Sequence, residues 1–177
     1  MVKELSASMT TKVIEEDSGT HRYVLERSWN KKGKAKMATV ITLYPSTSEL
    51  ILTDTTTMLI TNNIYKLGYD GFFSVNLYSK VNLPVSPSKS GSKRNFKTAT
   101  NATNDKYILE CAKHSEIVIL AYGSLPSKNK QVQQRLDKVL GLLEKEGLAE
   151  VTRVLIDPEK KTCVHPLASK ARNNWTF

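Results

Sequence analysis

The chain has 177 residues, enough for one domain of ordinary size that buries its apolar surface around a single core. Hydrophobic residues make up 40% and charged residues 24%, a globular balance, and no apolar run approaches the roughly 18 residues that a bilayer span requires. The 26 Lys and Arg residues outnumber the 17 Asp and Glu, and the net charge of +9 favours polyanionic partners over a membrane interior: nucleic acid, an anionic surface, or an acidic protein that imitates nucleic acid.

Residues 1–16 hold short β-prone pieces, and Asp17-Ser18-Gly19-Thr20 offers turn chemistry before HRYVLERSW, where apolar and polar residues roughly alternate. This reads as an antiparallel hairpin at the edge of the fold. A Lys-rich connector leads to MATVITLY, a continuous apolar and β-branched run expected of a strand buried on both faces. After the turn PSTS, Asp54 caps a predicted helix TTTMLITNNIYKL that Gly68 stops. FFSVNLYS is the second buried strand. Residues 81–103, rich in Ser, Lys, Asn and Pro, form a long polar loop of a kind usually functional or disordered.

Asn104 or Asp105 is the expected cap of a helix KYILECAKH, followed by a third buried strand in SEIVILAY. The longest predicted helix runs from Lys128 to Lys145, with Val132, Leu136, Val139, Leu140 and Leu143 on one face and Gly147 ending it. VTRVLID is the fourth strand and the tail is loop. Strands alternating with helices predict a single domain over residues 1–177: a three-layer α/β/α sandwich around a mostly parallel four-stranded sheet, plus the N-terminal β-hairpin. Right-handed crossovers then line up the loops after Tyr44, Tyr78, Tyr122 and Asp157 along one rim, where ligands of such sheets gather.

Candidate residues follow from that rim. Asn76 lies inside an apolar strand, where an amide needs partners; it either bonds neighbouring backbone or reads a ligand edge. His165 precedes Pro166 and sits in a loop. Tyr44 and Tyr122 end buried strands, where an aromatic with a polar tip plugs the core or faces a site. Two basic clusters, Lys31, Lys32, Lys34 and Lys36, then Lys89, Lys93, Arg94 and Lys97, lie in loops suited to tracking phosphates. Cys111 and Cys163 are too few for a disulfide framework or a zinc site, and neither metal nor other cofactor is expected. The opening MVKELSASMTTKV lacks the apolar core of a signal peptide, so the expected location is cytoplasmic.

In order, YPST at Tyr44, Asp54-Thr55-Thr56, Gly68-Tyr69-Asp70-Gly71, Val75-Asn76-Leu77-Tyr78, Asn104-Asp105, Ala121-Tyr122-Gly123 and His165-Pro166-Leu167 resemble the bacterial family of unknown function DUF1643. The resemblance runs from His21 to Leu167, and the family name carries no activity. The layout is also similar, more distantly, to the uracil-DNA glycosylase superfamily. That resemblance implies a residue before the first Pro, Asp or Asn in the glycosylases, that positions the attacking water. It further implies a strand Asn that reads the base edge and a His that stabilises the departing base. Carried over, these are Tyr44, Asn76 and His165, with Pro45, Ser46 and Tyr122 beside them in the base pocket.

Tyrosine suits the first role poorly. Its phenol, with a reference pKa of ~10, is neutral near pH 7 and too bulky to leave room for the water. The expectation is a catalytically silent protein on a glycosylase-like frame that binds DNA or an acidic, DNA-mimicking glycosylase inhibitor protein. The alternative is an active glycosylase or other hydrolase on a nucleobase or nucleotide substrate, using His165 with Asn76 and with Asp54 or Glu49 as substitute acid or base. A structural module with no nucleic-acid role is the third reading.

Overall fold

The computed structural model describes residues 1–30, 34–47, 49–81, 83, 96 and 98–177. Strands β1 (Thr10–Glu15) and β2 (Arg22–Ser28) form the expected antiparallel hairpin, turning through Gly19 at a φ of 67°. Four further strands follow: β3 (Met37–Thr42), β4 (Gly71–Asn76), β5 (Ile117–Leu120) and β6 (Thr152–Val154). All six belong to one sheet in the order β1-β2-β4-β3-β5-β6. Its β3–β4, β3–β5 and β5–β6 pairs are parallel, while β2 pairs antiparallel with β4, Leu25 opposite Ser74 and Ser28 opposite Gly71.

The expectation of a four-stranded, mostly parallel sheet with a separate hairpin is therefore corrected to a mixed six-stranded sheet. The reason lies in β4: without β2 its buried backbone would form an unpaired edge. The pairing is close. A side chain on Gly71 would stand 2.5 Å from the Arg27 carbonyl oxygen, so only glycine fits there.

Helix α1 (Thr55–Lys66) starts where Asp54 accepts the Thr57 N–H at 2.7 Å, and Gly68 follows it at a φ of 82°. Helix α2 (Ala102–Lys113) begins earlier than expected, because Asn101, not Asn104 or Asp105, caps it by accepting the Asn104 N–H at 3.0 Å. Asn104 is itself buried and donates back to the Asn76 carbonyl at 3.0 Å. Helix α3 (Lys130–Lys145) starts two residues inside the predicted start and is capped by Asn129, and Pro126–Lys128 forms a 3-10 turn before it. None of the described helices is long and apolar enough to cross a membrane.

Alternation along the strands divides the core in two. Ala38, Val40, Phe72 and Ile119 pack with Ile60 and Ile64 of α1, whereas Ile41, Val75, Val118 and Leu120 pack with Ile108 of α2 and Val132, Leu136 and Val139 of α3. Helices thus cover both faces, which is why every residue of β3 is buried. On the second face Arg135 of α3 donates through Nε to the Leu77 carbonyl at 2.6 Å, and its Nη1 lies 2.5 Å from Asp105 Oδ1 of α2.

Because β3, β4, β5 and β6 run parallel, their carboxyl ends share one edge. The ladder continues past them: Leu77 N–H donates to the Thr42 carbonyl and Ala121 N–H to that of Ile41. Lys34 and Lys36 precede β3 and so lie at the opposite edge, roughly 20 Å away for a strand of this length. There Asp70 accepts the Lys36 N–H at 2.8 Å. Lys31 and Lys32 fall outside the described residues, as do Lys89, Lys93, Arg94 and Lys97 and most of the predicted polar loop.

Candidate functional site

A cavity of about 410 Å³ opens at the carboxyl edge of the sheet. The end of β3 contributes Thr42, Leu43, Tyr44, Pro45 and Ser46, and the start of α1 adds Asp54, Thr56 and Thr57. Tyr122 and Gly123 come from the end of β5, His165 and Leu167 from the C-terminal loop, and Arg22 from β2. Five residues singled out in the sequence, Tyr44, Pro45, Ser46, Tyr122 and His165, therefore meet, and Asp54 joins them. Glu49 is exposed and lines a separate groove with Leu50 and Ile51, so it is not placed to replace a catalytic acid here.

One wall is aromatic and neutral. Tyr44 and Tyr122 are half-buried and pack against the core on the α2 and α3 face. Burial, followed by the nearby Cys163 thiol, pushes the Tyr122 phenol up to about 12, so it stays protonated at any physiological pH.

His165 is neutral as well. Burial lowers its pKa to about 4, and the negative charge of Asp54 offsets only part of that. Its Nδ1 accepts the Leu167 N–H at 3.3 Å, which leaves the ring proton on Nε2 as a donor. Gly123 packs beside this residue at a φ of 75°, a left-handed conformation that favours glycine.

This burial sets a pH signature. Between its ordinary value of 6.5 and the native value of about 4, His165 takes up a proton in the unfolded chain and not in the folded one. Stability should therefore be flat from this source above pH 6.5 and fall as the pH drops toward 4. Urea unfolding at pH 7 and pH 4.5 should show that loss, and His165→Gln should reduce it. An unchanged acid slope in the variant would contradict the assignment.

The two carboxylate oxygens of Asp54 each carry a protein hydrogen bond, one from the Thr57 N–H and one from the Ser46 hydroxyl. Asn76 does not line the cavity. Its Nδ2 donates to Thr42 Oγ1 at 2.6 Å and its Oδ1 accepts from Arg22 Nη2 at 3.2 Å, both partners being side chains and not the neighbouring backbone. Arg22, which sequence reasoning missed, is the residue that reaches the cavity in its place. It is only 3% exposed, donates through Nη1 to the Thr47 carbonyl at 2.5 Å, and burial lowers its pKa to about 10, leaving it a cation near pH 7.

Chemically the site offers a fixed cation, an N–H donor on His165, a hydrogen-bonded carboxylate and a wall of neutral rings. Among the described residues no cluster of His, Cys, Asp and Glu is arranged to hold a metal ion. A search of curated proteins and of solved structures returned no match to the chain. The family model described as "Protein of unknown function (DUF1643)" does match, over residues 22–167, a span that contains every residue lining the cavity. The chain belongs to that family.

Proposed function

We propose that the chain is a catalytically silent protein of uracil-DNA glycosylase-like layout that binds DNA, or an acidic protein with a DNA-like surface, at the carboxyl edge of its sheet. The observation that carries this reading is Tyr44. It stands in the cavity directly before Pro45, in the place that the glycosylase resemblance gives to a water-positioning carboxylate or amide. A neutral phenol neither draws a proton from water near pH 7 nor supplies negative charge to an oxocarbenium-like sugar.

Asn76 supports the same conclusion, because an amide engaged by Thr42 and Arg22 is not free to read a base. The net charge of +9 favours a polyanionic partner of either kind. Single-turnover incubation with uracil-containing single- and double-stranded DNA tests the reading: no base should be released. Displacement of bound DNA by an acidic DNA-mimicking protein would mark the two as ligands of one face.

A second reading, an active hydrolase on a nucleobase or nucleotide, is favoured by one feature. His165 and Asp54 face the same cavity, and the carboxylate acts electrostatically on the imidazole. Wild-type turnover that disappears in His165→Ala would establish it in place of the first.

A further inference from the structure

Arg22 is buried without an ion-pair partner among the described residues. Its Nη atoms reach a carbonyl and an amide oxygen, and its Nε has no partner. Arg27, on the same strand and 2% exposed, repeats the pattern: its Nη2 donates to Thr53 Oγ1 at 2.7 Å and its Nε is also unpartnered. Among the described residues Asp54 is the one acid lining the cavity, and its charge acts on both arginines yet does not offset the cost of their burial. Isolated buried charge costs several kcal/mol per ion after relaxation. Two guanidinium groups beside one carboxylate leave this corner positive.

The second feature is α1. Its 12 residues begin at the same cavity, with Thr56 and Thr57 in the wall, so the positive end of the helix adds to the field of Arg22. His165 offers its Nε2 proton, and neither it nor the two tyrosines brings negative charge. A guanidinium and a helix N-terminus lining one cavity are a combination that recognises tetrahedral oxyanions. The apolar remainder of the cavity, walled by Leu43, Tyr44, Tyr122 and Leu125, leaves space for an attached ring.

We infer that the cavity contains a phosphate subsite, formed by Arg22 and the first turn of α1 that line it together, and that its ligand is the phosphate ester of a nucleotide. The identity of the ester rests on the nucleic-acid reading above; the subsite itself does not.

Melting of the full chain in sodium phosphate against sodium chloride of equal ionic strength tests the subsite. Phosphate should raise the Tm where chloride does not. Arg22→Gln should weaken phosphate binding at least tenfold, and Asp54→Asn, which keeps a helix-capping side chain, should tighten it severalfold. No shift beyond chloride, an equal shift in Arg22→Gln, or weaker binding in Asp54→Asn would each overturn the inference. Should Arg22→Gln fail to fold, the wild-type shift and the sign of the Asp54→Asn effect still decide it.

Thymidine 5′-monophosphate and oligothymidylate separate the sources. A nucleotide that binds more tightly than inorganic phosphate supports the ester, and its displacement by oligothymidylate places that ester in a strand. A nucleotide no better than phosphate overturns the ester assignment. Retained phosphate binding with no oligothymidylate binding removes the nucleic-acid reading and leaves the subsite standing.

Discussion

Tyr44→Asn should raise uracil release roughly a hundredfold over a wild-type protein that is expected to stay at background, the lower end of what a positioned general base contributes. The substitution opens the volume of the phenol in the cavity wall and puts an amide oxygen before Pro45, where a water can be held. His165 is already a neutral Nε2 donor, suited to the base as it departs with developing negative charge. The gain should stop short of an efficient enzyme, because Asn76 remains tied to Thr42 and Arg22. Single-turnover release of labelled uracil from single-stranded DNA measures it. No release by either protein would mean that Tyr44 is not what silences the site.

Asp105→Ala should destabilise the fold by about 3–5 kcal/mol, the usual loss when one partner of a buried ion pair is removed. The side chains of Arg135 and Asp105 are 6% and 13% exposed, and the guanidinium also holds the Leu77 carbonyl at the end of β4. Without the carboxylate the cation stays buried against the core and draws on the strand end that leads to the rim. Lys138 bridges to the same carboxylate at 2.8 Å but is 61% exposed. Lys138→Met should therefore cost less than about 1 kcal/mol. Urea midpoints of the two variants decide the matter: similar losses would mean that burial does not set the worth of the pair.

The parallel strands, the three helices and the rim were legible because their signals are local. MATVIT reads as two-sided burial and is fully buried, and Asp54 and Gly68 mark the ends of α1. The fate of HRYVLERSW was not legible. Its alternation suggests a hairpin at the edge of the fold, but β2 pairs with β4 inside the sheet, and Arg22 and Arg27 are buried. That pairing joins residues far apart in the chain, and no local pattern announces it.

Asn104 misled for a related reason. An asparagine before a helical run looks like a cap, yet this one turns back to the backbone of β4 and leaves capping to Asn101. The position of Lys34 and Lys36 could have been read from strand direction alone. They precede β3, and the site lies at its far end. Tyr44, Tyr122 and His165 were found because each ends a strand or begins a loop on the predicted rim. Arg22 was missed because it begins one.

We propose that the chain binds a polyanion, DNA or an acidic protein with a DNA-like surface, and leaves DNA uncleaved. The most direct test is a titration of wild-type protein against uracil-containing single- and double-stranded DNA at two salt concentrations, with the DNA recovered and assayed for lost bases. Binding should weaken steeply with salt, as expected when cationic groups release counterions from phosphates, and the DNA should be recovered intact. Release of uracil by the wild-type protein would contradict the proposal, whereas intact DNA without binding at either salt concentration would remove DNA and leave the acidic protein as the partner.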